Sequence, residues 1–99
     1  MTRKFSTLKT GSTGTDVIVL QSFLRSMHFV GSNGKRIEVD GQYGANTAHA
    51  VNSFKTFCKN CGQKTTALNG VCDSTTWNML MGELYARLKP VYSMVHRNV

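Results

Sequence analysis

The sequence has a single proline, few acidic residues and no long apolar run. Pro90 stands near the end of 99 residues, so no proline-rich linker divides the chain, and the length predicts one domain over residues 1–99. A membrane-spanning helix needs roughly 20 consecutive apolar residues, and no stretch reaches that length. The basic start lacks an apolar run typical of a signal peptide. We therefore expect synthesis in the cytoplasm without a signal peptide.

The scarcity of acids leaves the chain strongly basic. The sequence contains five Asp and Glu and 12 Lys and Arg, which gives a net charge of +7. Such a field attracts polyanions, and nucleic acid, anionic lipid and bacterial wall polymers are all candidates. The basic residues are scattered rather than clustered, so a merely solubilising surface is the alternative. An apolar fraction of 40% predicts a folded chain.

The acids and histidines do not form a pattern typical of an enzyme. A glycosidase needs two facing carboxylates, and only Glu38 and Asp40 lie near each other in sequence. The three histidines lack the spacing of a zinc hydrolase. A dyad of Cys58 or Cys61 with His49 remains an open alternative. We predict no catalytic residue and no cofactor in this chain.

Three cysteines cannot all pair within one molecule. Cys58 and Cys61 form a C-x-x-C motif, and Cys72 follows. One such motif is a weak zinc signal, and the alternative of a three-thiolate zinc site would need a histidine from among His28, His49 and His96. We predict packed thiols in a reducing compartment and no metal site.

Apolar residues at spacings of three and four predict three helices, at about residues 15–29, 45–59 and 74–88. Thr15 or Asp16 is expected to cap the first, and Pro90 to stop the third. In the second, Phe57 is placed on the core face and Lys55 on the outer face. Residues 36–39 are expected to pair briefly as a strand. The tail is expected to fold back or to dock on a partner.

A short pattern occurs twice, as "DGQYGANTAHAV" from Asp40 and as "NGVCDSTTWNML" from Asn69. An Asp or Asn that accepts bonds from the next amides, followed by a glycine at positive φ, makes a turn that leads into a helix. A helix cap and a threonine in the first helical turn follow. The pattern therefore predicts two equivalent loop–helix junctions, whose structural residues are Asp40, Gly41, Gly44, Thr47, Asn69, Gly70, Asp73, Thr76 and Trp77.

These elements resemble the peptidoglycan-binding domain family. Its pattern G-x-x-G-x-[DE]-V-x-x-L-Q matches "GSTGTDVIVLQ" at residues 11–21, and D-G-x-[FY]-G-x-x-T-x-x-A-V-x-x-F matches residues 40–54. A second D-G-x-x-G-x-x-T-W-x-x-L matches residues 69–80, with Asn69 in place of the acid and Asp73 in place of a glycine. The match covers about residues 8–81 and leaves 82–99 as an extension. The stretch "GSNGKR" is a candidate insertion.

The resemblance implies an all-α, compact three-helix bundle that is not catalytic. Such modules hold a wall-degrading or wall-remodelling protein, or a phage component, against murein, chiefly at its peptide stems. The stems carry carboxylates and amides, so their recognition needs hydrogen-bonding side chains and nearby positive charge. The candidate ligand-binding residues are Gln21, Lys35, Arg36, Gln42, Tyr43, Asn46 and His49. Gln21 has a second interpretation as a buried amide that ties loops together, and Tyr43 as a core residue.

The expected partners are peptidoglycan and either a catalytic wall-hydrolase domain or a phage structural protein. We expect action at the bacterial cell wall, in a phage-encoded or virion-associated setting. Two alternatives stay open: a structural adaptor of a phage particle or secretion machine, and a basic nucleic-acid-binding bundle. Long junctions between the helices argue against a helix-turn-helix, and no membrane role is expected.

Overall fold

Three helices in succession form the framework of the domain. The computed structural model describes residues 5–84, in which α1 spans Thr15–Ser26, α2 spans Ala45–Asn60 and α3 covers residues 74–84. Within that part of the chain there is no strand, and three isolated antiparallel bridges join Leu8 to Cys72, Thr13 to Gln42 and Val30 to Arg36. The predicted all-α three-helix bundle is confirmed. The predicted strand at residues 36–39 is wrong, because only its first residue pairs.

Several expectations fall on residues outside this range. The end of the third helix near Leu88, its stop at Pro90 and the pairing of Glu83 with Arg87 all involve residues beyond 84, as does most of the extension. None of the helices in residues 5–84 has the length and apolar character needed to cross a membrane.

The core lies where the apolar stripes of the three helices meet. Val17, Leu20 and Leu24 of α1 are fully buried, as are Val51 and Phe54 of α2. Leu80 adds a fully buried side chain from α3, and Leu8 and Ile37 bring in residues from the loops. Since a fully buried apolar side chain contributes about 1.5–3 kcal/mol, this cluster supplies the main stabilisation of the domain.

Two side chains of α2 differ in burial from the prediction. Phe57 is 38% exposed, and its ring meets Phe29 edge-on at a centroid distance of 6.1 Å at the margin of the core. Lys55 is fully buried. Its position is four residues after Val51 and three before Cys58, so helical geometry turns it toward the interior despite its charge.

Backbone geometry determines where the helices begin and end. Gly14, rather than Thr15 or Asp16, occupies the N-cap of α1 and makes no side-chain cap, while the Asp16 carboxylate accepts the Ser6 amide at 3.0 Å. α1 ends before residue 29 because His28 has a φ of 66° and the Phe29 amide bonds back to the Leu24 carbonyl. This is a Schellman end.

α2 ends in the same way. The Gln63 amide bonds the Cys58 carbonyl, and Gly62, with a φ of 89°, stands at the left-handed position. His28 is therefore the counterpart of Gly62, 34 residues earlier.

Burial of three weak acids makes the domain sensitive to alkali. Burial, together with the neighbouring Asp73 charge, raises the pKa of Cys72 to about 12. Burial also raises the pKa of Cys58 to about 11, and it raises the pKa of Tyr43. In each case the unfolded chain ionises first as the pH rises, so folding stability is lost above about pH 9 for the two thiols and above about pH 10 for Tyr43. Burial lowers the pKa of Lys55, which opposes this trend with a single group.

We predict that the free energy of unfolding falls steeply between pH 7.5 and 10.5, and that Cys72→Ala reduces this fall by on the order of 2 kcal/mol. The measurement is urea denaturation at both pH values, read as the difference between them, so that any cavity effect of the substitution cancels. Cys61→Ala is the control, because Cys61 is exposed. An unchanged pH difference in Cys72→Ala would contradict the prediction.

Candidate ligand-binding groove

The side chain of Gln21 organises the first elbow, which we define as residues 40–47. Gln21 is 1% exposed. Its Oε1 accepts the backbone amides of Asp40 at 3.0 Å and Gly41 at 2.9 Å. Its Nε2 lies 3.0 Å from Asp40 Oδ1, 2.9 Å from the Gln42 carbonyl and 3.1 Å from Thr47 Oγ1, so two hydrogens serve three oxygens. One side chain thereby joins α1, the turn and the first helical turn of α2.

Asp40 and Gly41 shape the turn itself. Asp40 Oδ1 accepts the Gln42 amide at 3.0 Å, an Asx-turn. This bond, and the one from Gln21, lower the pKa of Asp40, so its carboxylate stays charged at neutral pH. Gly41 has a φ of 74°, and a Cβ there would lie 3.3 Å from Ile18 Cγ1. The position therefore needs glycine for both conformation and space.

The second elbow, residues 69–76, repeats this geometry with different chemistry. Asn69 Oδ1 accepts the Val71 amide at 3.0 Å, and Gly70 also has a φ of 74°. The Gly70 amide donates to Asn52 Oδ1 at 2.8 Å. The buried Lys55 donates from Nζ to the Ala67 carbonyl at 2.9 Å and to Asn69 Oδ1 at 3.2 Å. Lys55 and Asn52 together thus take the place in the second elbow that Gln21 takes alone in the first: Lys55 is the donor, as Nε2 of Gln21 is, and Asn52 accepts the glycine amide, as Oε1 does.

The two elbows start their helices differently. Gly44 is the N-cap of α2 and provides no side-chain bond. Asp73, its counterpart, accepts both the amide and the hydroxyl of Thr76 through Oδ1, at 3.0 and 2.9 Å. Burial alone would raise the pKa of Asp73, but these bonds outweigh it and the pKa is lowered. Asp73 is therefore a charged cap at the positive end of α3.

The remaining aromatic residues of the pattern are buried. Tyr43 is 2% exposed, and its hydroxyl donates to the Gly70 carbonyl, which links the two elbows directly. Trp77 is 4% exposed, stacks on Phe5 at a centroid distance of 4.4 Å and donates from Nε1 to the Ser6 carbonyl at 2.9 Å. Both rings pack in the interior of the domain.

A groove of about 590 Å³ opens beside the first elbow. One wall is residues 11–13, which are held to the elbow by backbone bonds from the Gly11 amide to the Tyr43 carbonyl and from the Tyr43 amide to the Ser12 carbonyl, at 2.8 and 2.9 Å. The opposite wall comes from residues 33–40, and the elbow and the start of α2 form the base.

Six of the seven predicted ligand-binding residues line this groove, and the seventh, His49, does not. The six fall into two groups by exposure. Exposed side chains come from Lys35, Arg36, Gln42 and Asn46, whereas Gln21 and Tyr43 are buried and bonded within the fold. His49 is exposed on α2. For both residues the structure agrees with the alternative interpretation: Gln21 is a buried amide that ties loops together, and Tyr43 is a core residue.

The groove also contains residues that the sequence analysis did not predict as ligand-binding. They are polar side chains from both walls, namely Ser12, Thr13, Asn33 and Glu38. The first two lie in the "GSTG" stretch, whose glycines could have indicated a close approach to the elbow. Glu38 and Asp40 add two carboxylates to the two cations of Lys35 and Arg36, so the groove offers groups of both signs.

The cysteines stand apart from this groove. All three are free thiols: Cys58 and Cys72 are buried as predicted, whereas Cys61 is exposed, so the prediction of a packed thiol is wrong for Cys61. Within residues 5–84, no three His, Cys, Asp or Glu side chains are grouped so that they could share a metal ion. The three-thiolate cluster of the zinc alternative is therefore not assembled there.

Comparison with solved structures shows that this chain is similar to part of a phage endolysin and to the SleB N-terminal domain. No protein-family model and no curated protein sequence matches this chain. The endolysin of the Burkholderia phage AP3 is similar over 76% of this chain, with a TM-score of 0.60 and 28% identity. The matched part is 24% of the endolysin chain, so this protein spans about a quarter of that length. The SleB N-terminal domain is similar over 81% of this chain and 97% of its own, with a TM-score of 0.59 and 29% identity.

Gly41 and Gly44 provide a matched pair of substitutions. We predict that Gly41→Ser lowers the free energy of unfolding by roughly 1–2 kcal/mol, because its φ is positive and Ile18 is close. Gly44→Ser should change it by less than about 0.5 kcal/mol, or raise it, because Gly44 has a φ of −111°, open space and an N-cap position that serine favours. The measurement is denaturant-induced unfolding of both variants. Equal losses in the free energy of unfolding would contradict the different roles given to Gly41 and Gly44.

We predict that Gln21→Ala destabilises the domain by about 2–4 kcal/mol, because two buried amides and the Thr47 hydroxyl lose their partner. Gln42→Ala should cost less than about 0.5 kcal/mol, because its side chain is exposed and makes none of these bonds. Thermal melts of the two glutamine variants test this. A Gln42→Ala loss as large as that of Gln21→Ala would contradict it.

Proposed function

We propose that this chain, a peptidoglycan-binding-domain-like three-helix bundle similar to part of a phage endolysin, is a non-catalytic module that binds bacterial peptidoglycan. Any hydrolase activity belongs to another domain or another chain. The module holds a wall-degrading or wall-remodelling protein, or a phage component, at the cell wall. The observation that carries the proposal is the groove at the first elbow, which is lined by the four exposed members of the set expected to contact murein, Lys35, Arg36, Gln42 and Asn46.

The groove suits the peptide stems of murein better than its glycan strands. Lys35 and Arg36 present two cations on one wall, and stem peptides carry carboxylates that cations bind by charge-assisted hydrogen bonds. Gln42, exposed at the elbow, has an amide that can both donate to and accept from a peptide group. The buried aromatic rings of Tyr43 and Trp77 present no exposed face for stacking on a sugar.

Net charge supports the approach to the wall, and the groove supplies selectivity. A charge of +7 draws the domain to any polyanion, including wall polymers and DNA, and salt screens that attraction. Bonds formed inside a groove lose less of their strength in salt. Retention on murein at raised salt therefore separates recognition in the groove from general attraction.

We predict that the purified domain pellets with sacculi stripped of teichoic acid and stays bound in 0.5 M salt. The double variant Lys35→Ala/Arg36→Ala should lose about tenfold or more in affinity, because each charge-assisted bond contributes about 1.5–3 kcal/mol. Lys59→Ala/Lys64→Ala is the matched control: it removes the same charge from exposed positions outside the groove and should change affinity less than about twofold.

Each outcome of this experiment has a distinct meaning. Equal losses in both double variants, with release in salt, would reduce the binding to charge attraction alone. No pelleting of the unaltered domain would overturn the proposed function. If that result came with tight binding of duplex DNA, it would favour the nucleic-acid-binding alternative. Pelleting with a selective loss in the groove variant supports the proposal.

A further inference from the structure

The loop that carries the two groove cations is fastened to α2 by one side chain. We define residues 31–36 as the cationic loop. Asn46, in the first turn of α2, accepts the Ser32 hydroxyl on Oδ1 at 2.8 Å and the Asn33 amide on the same atom at 3.4 Å. Both contacts bridge at least 13 residues of sequence, so they connect two separate elements.

The loop also packs closely against that side chain. Gly31 is buried, and a Cβ there would lie 2.7 Å from Asn46 Cβ and Cγ and 2.8 Å from Oδ1. No side chain fits at such distances, so glycine lets the loop backbone rest directly on Asn46. The contact therefore combines hydrogen bonds with tight packing.

Hydrogen bonds inside the cationic loop connect the residues that contact Asn46 to the residues that carry the positive charges. The Gly31 amide donates to the Lys35 carbonyl at 3.0 Å, and the Gly34 amide to the Gly31 carbonyl at 2.9 Å. Asn33 Oδ1 accepts the Lys35 amide at 2.9 Å. These bonds link Asn33, which Asn46 contacts, to Lys35, and Arg36 is the next residue.

We propose that Asn46 is a positioning residue for the groove: it latches the cationic loop onto α2 and so fixes Lys35 and Arg36 on the groove wall. This inference rests on the proposed function, since it concerns the site through which murein is bound. The Asn46 carbonyl oxygen serves the loop with both of its lone pairs. On this proposal, its effect on binding is exerted through the two cations.

The latch itself is tested without any ligand, by limited trypsin digestion. Asn46→Ala should speed cleavage after Lys35 and Arg36 by about tenfold, since a released loop opens more often. Asn46→Asp keeps an oxygen acceptor and should resist like the unaltered protein. Thr56→Ala is the control: it also removes a side-chain bond from α2, to the Asn52 carbonyl, away from the groove. Cleavage of Asn46→Ala at the unaltered rate would overturn the latch.

The consequence for binding is tested by a double-mutant cycle on sacculi. Asn46→Ala alone should weaken binding by about fivefold, and it should add less than about twofold when combined with Lys35→Ala/Arg36→Ala. Full additivity would overturn the positioning role and assign Asn46 to direct contact. Thermal melts should stay within a few degrees of the unaltered domain, which separates a local from a global effect.

The two proposals fail in different ways. If the unaltered domain does not pellet, the proposed function falls and the positioning role falls with it, while the trypsin result still decides whether Asn46 holds the loop. If the domain pellets but Asn46→Ala neither exposes the loop nor weakens binding, only the positioning role is overturned.

Discussion

The carboxamide of Gln21 is the contact on which the groove depends, because it lies where α1, the turn and α2 meet. The backbone amides of Asp40 and Gly41 point into the fold, and a buried amide without an acceptor costs free energy. Oε1 satisfies both, and Nε2 bonds oxygens on both sides of them. A shorter side chain would not reach, and a glutamate would lose the donors and face Asp40. The position of the groove base follows from this one amide.

The second elbow is also joined to the preceding helix by a side-chain hydrogen bond, but between a different pair of residues. In the first, a neutral amide faces the carboxylate of Asp40. In the second, the Lys55 ammonium faces the neutral amide of Asn69. Each pair has one charged and one neutral member, so the hydrogen bond that joins each turn to the preceding helix is not an ion pair. Desolvation lowers the pKa of Lys55, and the nearby Asp73 carboxylate acts against that shift. The departure of Asn69 from the acid of the family pattern is thus matched by a lysine on the preceding helix.

The sequence predicted the framework well because apolar spacing and turn chemistry are local. The stripe through Val17, Leu20 and Leu24 indicated α1, and the Asp–Gly and Asn–Gly turns indicated both elbows. Lys55 was misplaced because lysines are usually exposed, which outweighed its position beside Val51. The C-terminal ends of α1 and α2 are 34 residues apart, and this spacing, which the structure reveals, aligns Lys55 with Gln21.

The groove was harder to predict, because loops far apart in sequence form its walls. The path of these loops depends on contacts such as that of Gly31 with Asn46. The spacing of apolar residues in the sequence gives no indication of such a contact. Gln42 and Gln21 illustrate the division that results. Both are glutamines at the same groove, yet the amide of Gln21 is committed to the backbone of the elbow, whereas the side chain of Gln42 is exposed. Because Gln21 satisfies the amides of the turn from α1, the bonds of the turn do not depend on the cationic loop. The cationic loop, which Asn46 holds, is thus separate from the bonds that form the turn.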